Sequence, residues 1–349
     1  MTLQETIEKI QPLSREAMDA AWERWNDTSI PLHSLGKLQD AVVRIAGMLR
    51  TSAVSLDKKA LVVMCADNGV VEEGISQSGQ EVTKIIAENF LKEKATAAIF
   101  CKKSGADVFP VDIGIASDTI LPNHKVAYGT KNFAKEPAMT REQAVQAMEV
   151  GIHMAEKLYD QGYRILATGE MGIGNTTTSS AMTAAFTGVP VETVTGRGAG
   201  LSSVGLDKKI RVIKEALERY RLDAKDALGV LSAVGGFDIA GMAGVFLGGA
   251  ALGIPVVVDG FISGVAAMTA AMLCPESKSY MFASHLSQEP ASALVLEQLG
   301  LEGFMDCHMR LGEGSGAVLL FPILDMTIEV YRGVASFEEN SMEHYVPLS

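Results

Sequence analysis

A chain of 349 residues, 48% hydrophobic and 21% charged, can bury a sizeable core, which excludes a disordered chain and a disulfide-stapled miniprotein. Lys and Arg number 30 against 42 Asp and Glu, a formal net charge of −12, and no basic run offers a footprint for a phosphate backbone, so nucleic acid is not an expected partner. With 34 Gly but only 2 Trp, 7 Tyr and 12 Phe, the core must consist mainly of aliphatic side chains, Ala and Met.

The first 57 residues are rich in helix formers, and with residues 321–349 they are expected to form a small helical domain. Beyond them short aliphatic runs recur, each followed by Gly or Asp: Ala60–Met64, Val108–Ile113, Arg164–Ala167, Pro255–Val258 and Ser279–Phe282. These are candidate strands. Between them the period turns helical. Thr140 with Gln143 makes a capping-box pattern before Val145, Met148, Ile152 and Ala155, and Gly162 closes that helix, with His153 at the edge of its apolar face. Ile210, Ile213, Leu217 and Tyr220 mark a second helical face. The run Ile239–Val258 is uncharged and long enough for a bilayer. Its glycines, Pro255 and the lack of flanking Lys or Arg instead predict a small-residue helix packed on a sheet, followed by a buried strand. Strands that are apolar throughout, alternating with helices, predict an α/β fold. Its doubly wound, mainly parallel sheet would span residues 58–320 with helices on both faces.

Cys65, Cys101, Cys274 and Cys307 are scattered and read as reduced thiols, and Met1–Glu5 shows no basic region followed by an apolar stretch. A cytoplasmic location is expected, with no membrane partner.

In such a sheet ligands bind beyond the carboxyl ends of the strands. The loop Thr168–Thr177 follows a candidate strand and carries Gly169, Gly172 and Gly174 before a helix that Asn175 or Thr176 would cap. It reads as a phosphate site at a helix amino end, or as a tight structural turn. It is not a Walker loop, and it lacks the dinucleotide fingerprint, which weighs against a dehydrogenase. A second cluster, Thr195–Gly200, holds Arg197 among glycines, and Lys208 and Lys209 follow at the expected start of the next helix. A cation there opposes the helix dipole unless an anion is near, although a solvated pair reads equally well. The third cluster, Arg310–Ala317, encloses Glu313 between glycines, as a general base or as an ordinary surface-loop carboxylate. The six histidines lack metal-binding spacing, no nucleophile elbow surrounds a serine, and neither metal nor cofactor is expected.

Taken together these loops resemble the nicotinate-nucleotide:dimethylbenzimidazole phosphoribosyltransferase family. The resemblance runs from about residue 30 to about 330. It rests on Ser34-Leu35-Gly36, Ala66-Asp67 with Gly69-Val70, Gly79–Thr83, the whole Thr168–Thr177 loop, and Gly196-Arg197-Gly198. It also rests on Asp259-Gly260-Phe261, His285-Leu286-Ser287 with Glu289-Pro290, and Leu311–Gly316. The resemblance implies transfer of a phosphoribosyl group from nicotinate mononucleotide to an aromatic base for cobamide biosynthesis. Nicotinate is released and an α-riboside 5′-phosphate is formed. It implies that Glu313 deprotonates the acceptor, while Glu170, Gly172, Gly174, Asn175, Thr176, Gly198, Lys209, Asp259 and Ser287 hold the donor. Because the leaving pyridinium nitrogen becomes neutral, one carboxylate suffices.

Departures from the family pattern cluster in the amino-terminal half: Pro31-Leu32-His33 before Ser34, Asn68 where His is usual, Ser78-Gly79 in place of a Tyr-Pro pair, and Lys84 near a usual glutamine. An acceptor pocket of Ser76, Gln80, Lys84 and Leu311 is expected. A phenol ionises near pH 10, so an ammonium such as Lys84 could favour its phenolate. Phenol or p-cresol is therefore weighed beside 5,6-dimethylbenzimidazole. So is a dimer, either of two copies or of this chain with a paralogue, in which this chain could be the non-catalytic partner.

Overall fold

The computed structural model describes residues 1–345, so the last four residues of the expected 321–349 segment lie outside it. Leu3–Lys9 (α1), Arg15–Asp27 (α2) and Lys37–Leu49 (α3) precede the first strand, Lys59–Ala66 (β1). Glu81–Leu91 (α4), Thr96–Ser104 (α5), Ala106–Gly114 (β2) and Arg141–Asp160 (α6) follow, then Ile165–Met171 (β3). Asn175–Thr187 (α7), Val191–Val194 (α8), Ser203–Tyr220 (α9), Ala227–Val234 (α10) and Phe237–Leu252 (α11) lead to Val256–Val258 (β4). Phe261–Leu273 (α12), Met281–Ala283 (β5), Ser292–Leu299 (α13) and Ser315–Gly333 (α14) complete the order.

The five strands form one parallel sheet in the order β2-β1-β3-β4-β5. Strand order reverses beside β1, which opens a crevice at the carboxyl ends of β1 and β3. Both faces are covered. Met64 of β1 lies against Gly241 of α11, whereas Leu61 points the other way, against Gly314 at the start of α14. With helices on each side, the strands bury nearly every side chain, which is why they read as continuous apolar runs.

The uncharged Ile239–Val258 run resolves into α11 and β4 as expected, and α11 is buried throughout, except at Leu252. No helix among the described residues is long and apolar enough to cross a membrane. The helix α6 starts where the capping box placed it. Thr140 Oγ1 accepts from the Gln143 N–H at 3.2 Å, and the Gln143 side chain accepts from the Thr140 N–H at 3.0 Å. Thr140→Ala should cost about 1 kcal/mol of stability, measured by urea unfolding.

All five strands differ from the expected spans at one end or both, the third and the fifth among them. Pairing with β1 extends the third strand through Met171, so Thr168, Gly169 and Glu170 are strand residues. Thr168 Oγ1 is tied to Ser263 Oγ at 2.7 Å. At the last strand, Ser279 and Tyr280 belong to a short 3-10 turn, Pro275–Tyr280, and pairing begins at Met281.

The two chain ends pack together. Arg24 donates to the carbonyls of Tyr331 (2.8 Å) and Arg332 (2.6 Å), and Trp25 packs against Tyr331 with the rings tilted by 57° and their centroids 5.0 Å apart. The expected division at 320/321 falls inside α14, which carries the chain from the sheet to this helical cluster.

Candidate active site

A cavity of about 240 Å³ lies at the carboxyl ends of the strands. It is walled by Ser76 after the first strand, Glu170 to Thr176 at the end of the third and beyond it, Asp259 after the fourth, Ser287 after the fifth, and Leu311 to Glu313. A larger, open hollow of about 690 Å³ sits at the opposite end of the sheet. Its Arg164 and Arg50 are spent on carbonyls of Tyr159, Tyr163 and Pro12, so they serve the fold there, Arg164 at the carboxyl end of α6.

On the wall beyond the third strand, α7 begins after Gly174, whose φ of +96° only glycine adopts comfortably. Neither Asn175 nor Thr176 caps the helix, contrary to expectation, because this left-handed residue takes the cap position and makes Asn175 the first helical residue. The Asn175 side chain turns inward. Its Nδ2 donates to Glu170 Oε2 and, at 3.2 Å, to Asp238 Oδ2. Gly172 and Gly198 expose backbone to the cavity.

Lys209 does not stand at a helix start. It lies in the second turn of α9, buried behind the wall, and donates to Thr176 Oγ1 (2.9 Å) and the Gly196 carbonyl (3.1 Å). Burial pulls its ammonium down to about 8, against the opposing pull of Glu289. Lys208 is half-buried beside Gly74.

Asp259 is fastened to the third glycine loop. Its Oδ2 accepts from the Gly314 N–H (3.2 Å) and its Oδ1 from the Ala317 N–H (3.0 Å), so it anchors the first turn of α14. That anchor presents Glu313, which itself has φ +64°. The Glu313 carboxylate accepts from the Ala97 N–H at 3.2 Å, in the first turn of α5, and its own N–H donates to Glu170 Oε1 at 3.3 Å. Burial raises the Glu313 pKa above the usual carboxylate value, opposed by the amides of Ala97 and Thr96. A raised but titratable carboxylate facing a cavity suits a general base. Glu170, Asp238 and Asp259 are all pushed up by burial, Glu170 also by the charge of Asp238.

Of the four residues expected to form an acceptor pocket, two reach the cavity. Ser76 and Leu311 line the cavity, whereas Gln80 and Lys84 do not. Gln80 Nε2 donates to the Asn68 carbonyl at 3.4 Å. The Lys84 ammonium is half-exposed, 4.0 Å from Glu88. The reason is helical phase: α4 turns Ile86 toward the cavity, and a residue two places earlier is about 200° round the helix.

Sequence reasoning left out Asp238, His285, Glu289, Arg197 and Arg310 as site residues, although all but Asp238 line the cavity. His285 hydrogen-bonds with Ser284 Oγ at 3.0 Å, and burial lowers its pKa. A signal for Asp238 existed: a lone acid immediately before a long uncharged run, at a helix amino end.

The chain was compared with known proteins. A family model described as "Phosphoribosyltransferase" matches residues 10–342. Nicotinate-nucleotide–dimethylbenzimidazole phosphoribosyltransferase of Acetivibrio thermocellus is 47% identical over 346 residues, covering 98% of this chain and 99% of that protein. The protein of the same name from Desulforamulus reducens is 46% identical over 342 residues, with 97% of each covered. The crystal structure of CobT from Thermus thermophilus matches with a TM-score of 0.90 at 37% identity, covering 95% of this chain and all (100%) of that one.

Proposed function

The chain belongs to the nicotinate-nucleotide–dimethylbenzimidazole phosphoribosyltransferase family and is a pentosyltransferase; on that premise we propose that its cavity carries phosphoribose from nicotinate mononucleotide to an aromatic nitrogen base. The observation that carries this reading is the meeting, in one cavity, of the Glu313 carboxylate with the amino end of α7 and the Glu170 side chain.

The amino end of α7 supplies N–H groups and a positive dipole end for the donor phosphate, with Lys209 behind Thr176 adding charge. Glu170 and Asp259 lie where ribose hydroxyls can donate to them. The acceptor's unprotonated ring nitrogen attacks the anomeric carbon while its other ring nitrogen gives its N–H proton to Glu313, which leaves the product ring neutral. The bond to nicotinate breaks with its electron pair passing to the pyridine nitrogen. Direct displacement inverts the centre, so a β-nucleotide gives an α-riboside.

The position of Lys84 bears on the acceptor. With its ammonium on the outer side of α4, phenolate formation has no support from that residue, and a benzimidazole-type base is favoured. The test offers the purified chain nicotinate mononucleotide with 5,6-dimethylbenzimidazole, adenine, phenol or p-cresol, and assigns each product and its anomeric configuration. Transfer to the benzimidazole with an α product is expected, and transfer to phenols alone would overturn the acceptor assignment. The same assay with a paralogue added decides the subunit question. An inactive chain rescued by the paralogue would make this one the partner.

A further inference from the structure

Beneath the Met171–Gly174 turn lies a buried polar cluster whose innermost member, Asp238, the transfer chemistry above does not use. Asp238, fully buried near the start of α11, has its two oxygens divided between two tasks. Oδ1 accepts from the Ile239 N–H at 3.0 Å, as a helix-start carboxylate does. Oδ2 faces away from that helix, toward Asn175 Nδ2 at 3.2 Å. Space for it is kept by glycine: a Cβ on Gly172 would stand 2.6 Å from Oδ2, and one on Gly236 would strike Oδ1.

The Asn175 amide is therefore held between two carboxyl groups. The Asn175 nitrogen faces both carboxyl groups and donates one hydrogen to each. On its other side Glu170 takes that hydrogen on Oε2 and the Glu313 N–H on Oε1. The chain of contacts thus runs from α11 to the cavity wall and ends on the backbone of the proposed base.

We propose that Asp238 is a positioning residue of the transfer: acting through the Asn175 amide, it fixes the Glu170 carboxyl against the donor ribose. What Glu170 meets rests on the phosphoribosyl reading above. Of the titratable groups, Glu170 on β3 and Cys65 on β1 feel the charge of Asp238, which raises the pKa of both, though burial is the larger cause in each.

Asp238→Ala and Asn175→Ala should each raise the donor KM about tenfold, the worth of one charged hydrogen bond. The double variant should be no worse than either single one, because both cut the same tether. Asp238→Asn keeps an oxygen for the Asn175 amide, so its KM should stay near that of the wild type. It removes the neighbouring charge, however, and the Glu170 carboxyl ¹³C titration, assigned with Glu170→Gln, should fall by about one unit. Additive KM effects, a folded Asp238→Ala with unchanged KM, or an unmoved Glu170 titration would each overturn the proposal. Should Asp238→Ala not fold, Asn175→Ala and Asp238→Asn still decide it. If the wild type transfers nothing even with the paralogue added, the phosphoribosyl reading falls, while the ¹³C result still judges the link between Asp238 and Glu170.

Discussion

Glu313→Gln is expected to lower kcat by about 10²–10⁴-fold while leaving the fold intact, the loss typical of removing a general base. The amide retains the shape of the side chain and an oxygen for the Ala97 N–H at the start of α5, so the loop has no reason to move. What it loses is the capacity to take a proton. The wild type should show an acidic limb in kcat/KM, and the sign follows from burial. Because burial raises the Glu313 pKa, the proton-free form is lost as pH falls through a value above the ordinary glutamate range. That limb should disappear in Glu313→Gln. A variant with wild-type kcat, or an unchanged limb, would remove Glu313 from the mechanism. Circular dichroism and the urea midpoint serve as controls for folding.

The second large effect concerns stability. Gly151→Val should cost about 3 kcal/mol or more, enough to leave little folded protein at ordinary temperature. Gly151 of α6 meets α11 backbone to backbone: an added Cβ would collide with the Gly241 carbonyl and stand 2.8 Å from the Val245 nitrogen. Gly244 repeats the contact from the other helix, where a Cβ would strike the Met148 carbonyl. Neither obstacle is a flexible side chain, so relief requires the helices to separate, with loss of dispersion contacts along the crossing. Gly333→Ala, where a Cβ would meet nothing within 4 Å, is the control and should be neutral or slightly stabilising. A urea midpoint for Gly151→Val equal to that of the wild type would refute this account of the crossing.

How much of this was legible in the sequence depends on the range over which each feature is determined. The start of α6 could be read because its capping box joins residues three apart, and the strands because burial on both faces leaves an unbroken apolar run. The uncharged Ile239–Val258 stretch was read as a packed helix and strand, since glycines in an apolar helix make sense only against another surface. Glu313 stood out for the glycines around it. All of these are patterns of neighbours along the chain.

Three dimensions decided what the residues do to one another. The Glu313 carboxylate reaches the amide of Ala97, 216 positions away, and Asn175 reaches Asp238 across 63. No local period encodes such meetings; they follow from which helix lies over which strand. The orientation of Lys84 shows the same limit on a smaller scale, because its type and position suggested an acceptor contact, whereas the phase of α4 turns it away from the cavity. Lys209 shows the reverse. Read as a residue near a helix start, it is instead a buried ammonium whose pKa is set by desolvation, a property of its surroundings that its own segment cannot specify.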